Sequence, residues 1–326
     1  MVIWKLLSRQ MNNRTIKQLL FTIACIIASF GDNTAQQFPI YSQYLFNGLT
    51  LNPAFAGSAV QMSLTSVYRN QWVNFEGAPI TYSFSAHSTL NSDKVGVGLL
   101  IDHDEIGSYS NNHVYGSYAY IFKTPKGKLA LGLQAGFNVL STDFSDLNLD
   151  NFNDNSFGSI DNKFKPNFGA GIYYHNDIFF AGFSVPFLLN NKISTSLDGI
   201  VSQISEARYY YLNGGVTLPL NRMETIALMP SLLVRAQEGS PLSLDINASL
   251  AFYKSFSIGV SYRNIDAIVS FIDIKINDHF LFAYSYDWTT SEINKFSSGT
   301  HEFMLNYRFK IEKYHGNDVC PDYFRH

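Results

Sequence analysis

The sequence predicts an all-β fold: a transmembrane antiparallel β-barrel of about 14 strands, with an N-terminal extended segment able to lie in its lumen. Three observations lead there. Period-two alternation of apolar with small or polar residues recurs in runs of about ten, the length a tilted strand needs to cross the hydrocarbon layer. Charged residues make up 15% of the 326 and aromatics another 15%, with 27 Phe and 20 Tyr, whereas soluble domains are roughly a quarter charged. Beyond the N-terminal leader no segment approaches about eighteen consecutive apolar residues, so no transmembrane helix is expected.

Residues 1–35 read as a cleaved secretory signal. Met11-Asn12-Asn13-Arg14-Thr15-Ile16-Lys17 is a basic start, Leu19 to Phe30 an apolar core, and Ala35-Gln36 a cleavage point after a small residue. The core is too short to span a bilayer. Met11 gives a cleaner leader than Met1. Of the two cysteines, Cys25 lies in the leader and Cys320 near the C-terminus, so the mature chain has no internal disulfide. Residues 36–60 form the N-terminal segment, 61–310 the barrel and 311–326 a short periplasmic tail.

Within the segment, Asn52-Pro53-Ala54 is stiff. Pro53 fixes its own φ and lacks a donor, and it pushes Asn52 to an extended form. Strands then follow in order. Met62, Leu64 and Tyr68 alternate with Ser63, Thr65 and Arg69. Ile80 to Ala86, Val95 to Ile101, Tyr115 to Phe122 and Leu129 to Val139 come next. A polar stretch from Ser141 to Lys165 precedes Phe168 to Ile172 and Ile178 to Val185. A second connection, Leu188 to Glu206, leads to Tyr209–Leu218 and Ile226–Val234. The clearest alternation is late: Leu242 to Phe252, Phe256 to Tyr262, Ile268 to Ile276, Phe280 to Tyr286 and Phe303 to Phe309. An even strand number closes with both termini on one side, which suits a leader-proximal segment and a tail both left in the periplasm.

A secreted β-sandwich would show the same alternation. Aromatics at strand ends (Tyr68, Trp72, Tyr82, Tyr262, Tyr286, Trp288 and Phe309) favour the barrel, as interfacial girdles do. So do glycines at inward positions, which leave room in a narrow lumen.

No enzyme signal emerges. His103-Asp104-Glu105 offers three ligands, but strand neighbours point to opposite sides, so a polar hairpin turn with Gly107 is the better reading. The Asp/Asn stretch from Asp143 to Asp161 lacks the regular spacing of a calcium loop. There is no Gly-x-Ser-x-Gly elbow, and nothing pairs His87 or His301 with a nucleophile, so polar lumen histidines are expected. No phosphate loop or basic aromatic patch appears, and a net charge of -3 favours no nucleic acid. No cofactor or metal is expected.

Several motifs together resemble the PorP/SprF family of Bacteroidetes. They are Tyr41-Ser42-Gln43-Tyr44, Asn52-Pro53-Ala54 with Gly57, Arg69-Asn70-Gln71-Trp72, Gly77-Ala78-Pro79, Tyr284-Ser285-Tyr286-Asp287 and Gly299-Thr300-His301-Glu302. The positions singled out are Asn52, Pro53, Gly57, Arg69, Gln71, Trp72, Pro79, Asp287 and Glu302, expected to be structural. Arg69 in particular could tie the N-terminal segment to the wall. The resemblance implies an outer-membrane, non-enzymatic component of the type IX secretion and gliding system. Its implied partners are the C-terminal sorting domain of a large secreted surface protein, the periplasmic ring and motor components, and outer-membrane lipid. A passive channel or small-solute transporter is the alternative.

Overall fold

The computed structural model describes residues 40–59, 61–90, 93–142, 163–190, 192–197, 200–205, 208–238, 240–264 and 266–310. The expected leader, the Asp143–Asp161 stretch, Cys320 and the C-terminal tail lie outside these residues. The first strands are β1 (Met62–Asn70), β2 (Ile80–Leu90), β3 (Val95–Ile106), β4 (Tyr109–Thr124), β5 (Gly127–Thr142), β6 (Lys163–His175) and β7 (Phe179–Val185). A small hairpin of β8 (Lys192–Leu197) and β9 (Ile200–Ser205) follows, then β10 (Tyr209–Val216), β11 (Leu218–Pro219) and β12 (Ile226–Gln237). The last are β13 (Ser243–Phe252), β14 (Phe256–Arg263), β15 (Ala267–Lys275), β16 (Phe280–Thr289) and β17 (Thr300–Phe309).

Strands β1–β7, β10 and β12–β17 form one closed antiparallel barrel of fourteen strands. β1 pairs with β17, so the first and last strands meet, and β10 pairs with β12 across the remaining gap. Closure leaves no bare edge, which a lipid environment could not satisfy. The small β8–β9 hairpin stands apart as its own two-stranded sheet, inside the connection expected from Leu188 to Glu206.

The wall is polar inward and apolar outward, the reverse of a sandwich. Leu133, Ile258 and Val260 point outward and are more than half exposed, while Ser85, Asn167, Ser285 and Glu302 face inward with 0% exposure. The strand ends joined by the three longest connections, 143–162, 186–208 and 290–299, all lie at one end, here called the long-loop mouth, as do those joined by 71–79. The start of β1 and the end of β17 lie at the other, short-turn mouth, because Met62 pairs with Phe309. Outward Tyr82, Tyr262 and Trp288 cluster toward the long-loop mouth, and Phe122, Phe179 and Phe280 toward the short-turn mouth. Trp72 departs from the expected girdle: it sits in the 71–79 loop with φ +51° and lines a mouth cavity.

Two further differences stand out. β4 begins at Tyr109, ahead of the expected Tyr115, because its outer residues (Asn111, Asn112) pair without needing an apolar face. His103-Asp104-Glu105 is strand, not turn: the reversal falls at Gly107-Ser108, where Gly107 has φ +55°. His103 bonds Glu105 and Asn112 at 2.9 and 2.7 Å, whereas Asp104 is buried and accepts from Thr81.

The N-terminal segment fills the lumen. It is a chain of turns with short 3-10 helices at Gly48–Thr50 and Pro53–Phe55, more compact than an extended strip. Ile40 lies at the long-loop mouth, beside Gln71, Trp72, Pro79 and Asp266. Gly57 lies toward the opposite end, against Gly96 at the start of β3. The segment thus runs the length of the barrel before β1 begins. That corrects the expectation that the leader-proximal segment stays at the same end as the strand termini.

Candidate functional site: the filled lumen and its two anchorages

The first anchorage is ionic. Arg69, on the inward face of β1, reaches Asp287 of β16 and Glu302 of β17, both at 2.9 Å. Arg263, ending β14, reaches Asp245 of β13 at 3.1 Å, Asp287 at 3.4 Å and Asp266 at 3.2 Å. Arg69, Arg263, Asp245, Asp287 and Glu302 are at most 3% exposed. Charges removed from water persist only when paired and hydrogen-bonded. Here part of that bonding comes from the segment in the lumen. The Ser42 hydroxyl donates to Asp287 at 2.8 and 2.9 Å and accepts from Arg69 at 3.1 Å and Arg263 at 3.4 Å. The Ser42 and Gln43 amides donate to the two Glu302 oxygens at 2.9 and 2.8 Å.

The second anchorage is steric. Asn52 is extended (φ -144°, ψ 116°), as the following proline requires. Its side-chain oxygen caps the short helix by accepting from the Ala54 amide at 2.9 Å, and Pro53 occupies the first helical position. The Asn52 amide donates to the carbonyls of Ile172 at 3.0 Å and Phe183 at 3.4 Å, on β6 and β7. The Ser184 hydroxyl donates to the Leu51 carbonyl at 2.7 Å. Backbone meets backbone where the wall is glycine. A Cβ on Gly132 would fall 2.1 Å from the Ala54 nitrogen, and one on Gly96 would fall 2.0 Å from the Ala56 oxygen.

Between the anchorages the segment packs as a small core. Tyr44 and Leu51 join Leu100, Tyr115, Phe187, Tyr209, Tyr211 and Leu233. Asn47 accepts from Ser85 at 2.7 Å, and the Gly57 amide meets His87 at 3.3 Å. Two cavities flank the segment. One of about 420 Å³ opens at the long-loop mouth over Ile40, and one of about 740 Å³ at the short-turn mouth below Phe46.

Of the residues singled out in the sequence, Arg69, Asp287 and Glu302 come together in one cluster. Asn52, Pro53 and Gly57 lie on the segment. Gln71, Trp72 and Pro79 lie apart, in the mouth loop, where the Gln71 amide donates to the Pro79 carbonyl and the Trp72 amide to Thr300. Ser42 stood only within the Tyr41–Tyr44 motif, and Asp245 and Arg263 only as polar strand positions; none was singled out. The available signal was an arginine at the end of a small-polar strand face, Ser257 to Arg263. His87 is an inward, buried histidine as expected, but His301 faces outward, against the Tyr284 hydroxyl at 2.8 Å. It does so because Glu302, its neighbour in the strand, occupies the inward position. Among the described residues, no group of three or more His, Cys, Asp or Glu is placed to hold a metal.

Comparison with known proteins follows the same line. The family described as type IX secretion system membrane protein PorP/SprF matches residues 33–307. No curated protein sequence matches the chain. Among solved structures, the fold is similar to the CymD monoaromatic hydrocarbon channel, at 12% identity and a TM-score of 0.48 over 85% of this chain and 95% of that one. It is also similar to the outer membrane protein Omp33 of Acinetobacter baumannii, at 8% identity and a TM-score of 0.44 over 77% and 99%. With the family match running from the lumenal segment through β17, the chain belongs to the PorP/SprF family of type IX secretion system proteins, in the outer membrane.

Proposed function

We propose that this protein is a non-catalytic docking component that supports secretion and surface attachment of a cognate cargo by holding the cargo's C-terminal sorting domain. The long-loop mouth is its cargo-facing side, since the longer loops of outer-membrane barrels face the cell exterior. The parts best placed for contact are the 143–162 connection and the 186–208 connection with its β8–β9 hairpin. The periplasmic ring and motor components are its partners on the short-turn side.

One observation carries this reading: the protein's own N-terminal segment occupies the lumen, held by buried ion pairs and by glycine-to-backbone contacts. A barrel so filled offers its mouths for binding. The same observation weighs against a passive channel or small-solute transporter. The test is a strain whose Leu188–Glu206 connection is replaced by a Gly/Ser linker of equal length. Cargo should be lost from the cell surface while the barrel still assembles. If that strain and a full gene deletion both leave every surface protein exported and attached, the reading fails.

A further inference from the structure

The mouth opposite the cargo side carries a feature that neither sealing nor cargo docking uses. Asp273, on the inward face of β15, is 3% exposed. One of its carboxylate oxygens accepts from the Ser257 hydroxyl, and the other has no hydrogen-bond partner among the described residues. Asp273 lines the cavity of about 740 Å³ at the short-turn mouth, roofed by Phe46 of the lumenal segment. Met229, Phe256 and Leu281 make much of the remaining wall apolar, and the exposed acids Asp177 and Glu224 stand at its rim. Two lysines also reach the lining. Lys275 is held by Asp278 at 2.8 Å, and Lys254 is exposed on the turn between β13 and β14.

From this geometry we infer that the cavity is a binding site for a primary ammonium group on an apolar stem, supplied by a lysine side chain of a periplasmic partner. The inference rests on the orientation adopted above, with the short-turn mouth facing the periplasm. A buried carboxylate oxygen without a donor is costly, and an ammonium offers three donors with the complementary charge. A single free oxygen suits a point-charge ammonium better than a guanidinium, which prefers two acceptors side by side. The apolar wall accommodates the methylene stem while the charge sits at Asp273. A divalent metal does not fit, because one carboxylate and one hydroxyl provide too few oxygens. A lysine bound here would lie directly under Phe46, so the partner would touch the lumenal segment as well as the wall.

The test uses the full mature chain, purified in detergent, with Cys320→Ser removing the native thiol and Met229→Cys placing a reporter in the cavity. Labelling by a maleimide is followed with n-pentylamine, which mimics a lysine side chain, and with n-pentanol, its uncharged counterpart. Pentylamine should slow labelling at concentrations where pentanol does not. Asp273→Asn should weaken that protection about tenfold, the order of one charge-assisted hydrogen bond. Lys254→Gln should preserve or strengthen it, since it removes a competing cation. Heat-modifiable migration on gels checks that each variant is folded. Equal protection by the amine and the alcohol, or undiminished protection in the Asp273→Asn protein, would reduce the cavity to an apolar hollow and overturn the inference. A lysine-bearing peptide that protects while its acetyl-lysine form does not would attribute the site to a protein partner. Protection by ethanolamine-headgroup vesicles with no effect of the peptide would contradict that source.

Discussion

The two ends of the lumenal segment are held by opposite means. Ser42 and Gln43 are gripped by charge: two arginines and three carboxylates converge from β1, β13, β14, β16 and β17. The stretch from Asn52 to Gly57 is gripped by shape, where β3 and β5 present glycine to its backbone and β6 and β7 present glycine to the Asn52 side chain. The ionic grip depends on completeness, because a charge left without its partner in a dry lumen is worse than no charge. The steric grip depends on absence, because any side chain in the glycine positions displaces the segment. A single segment therefore has one anchor broken by deletion and one broken by addition.

The largest effect is expected from Arg69→Ala, which leaves Asp287 and Glu302 buried without their main cation. About 3–5 kcal/mol of stability should be lost, measured by urea unfolding in detergent. Adding Asp287→Asn and Glu302→Gln should recover part of that loss, which a simple packing defect would not allow. Next comes Gly132→Val, which should cost about 1–3 kcal/mol and loosen the segment. Gly116→Val is the control: a Cβ there would approach nothing closer than 3.9 Å, so little should change. Asn52→Ala should cost about 1–2 kcal/mol through the lost cap and carbonyl contacts. If Arg69→Ala and Asn52→Ala both kept normal assembly and sealing, neither anchorage would matter. The smallest effect belongs to Glu105→Gln. Its pair with His103 is exposed, and such pairs contribute about 0–1 kcal/mol.

The polarity of the segment sharpens the same comparison, because it places the ionic anchor near the long-loop mouth, which the proposed orientation turns outward, and the steric one deeper. Ile40→Cys, in a Cys320→Ser background, should react with a membrane-impermeant maleimide on intact cells. Labelling only after the outer membrane is opened would reverse the proposed orientation of the barrel.

Much of the barrel was legible because its wall is simple. Strands such as Leu242–Phe252 alternate cleanly, since one face must meet lipid and the other a packed polar lumen. Where that requirement lapses, so does the signal. Beyond the apolar band, β4 pairs through Asn111 and Asn112 with nothing to mark a strand, and the β8–β9 hairpin is hidden in the same way. The site was half legible. Asp287 and Glu302 share the β16–β17 pair, but Arg69 lies far from both in the chain, and only ring closure, which brings β1 beside β17, joins it to them. Arg263 and Asp245 were visible as polar positions on late strands, but nothing local says that two such strands face Ser42. Gly96 and Gly132 were readable as room in the lumen; that backbone fills this room is a tertiary fact.

The account turns on the lumen being closed by the chain's own residues 40–59, and planar-bilayer recording tests that most directly. The purified protein should insert without steady conductance, and a variant lacking 40–59 but still folded by heat-modifiable migration should conduct ions continuously. Steady conductance by the unaltered protein equal to that of the shortened one would contradict the account.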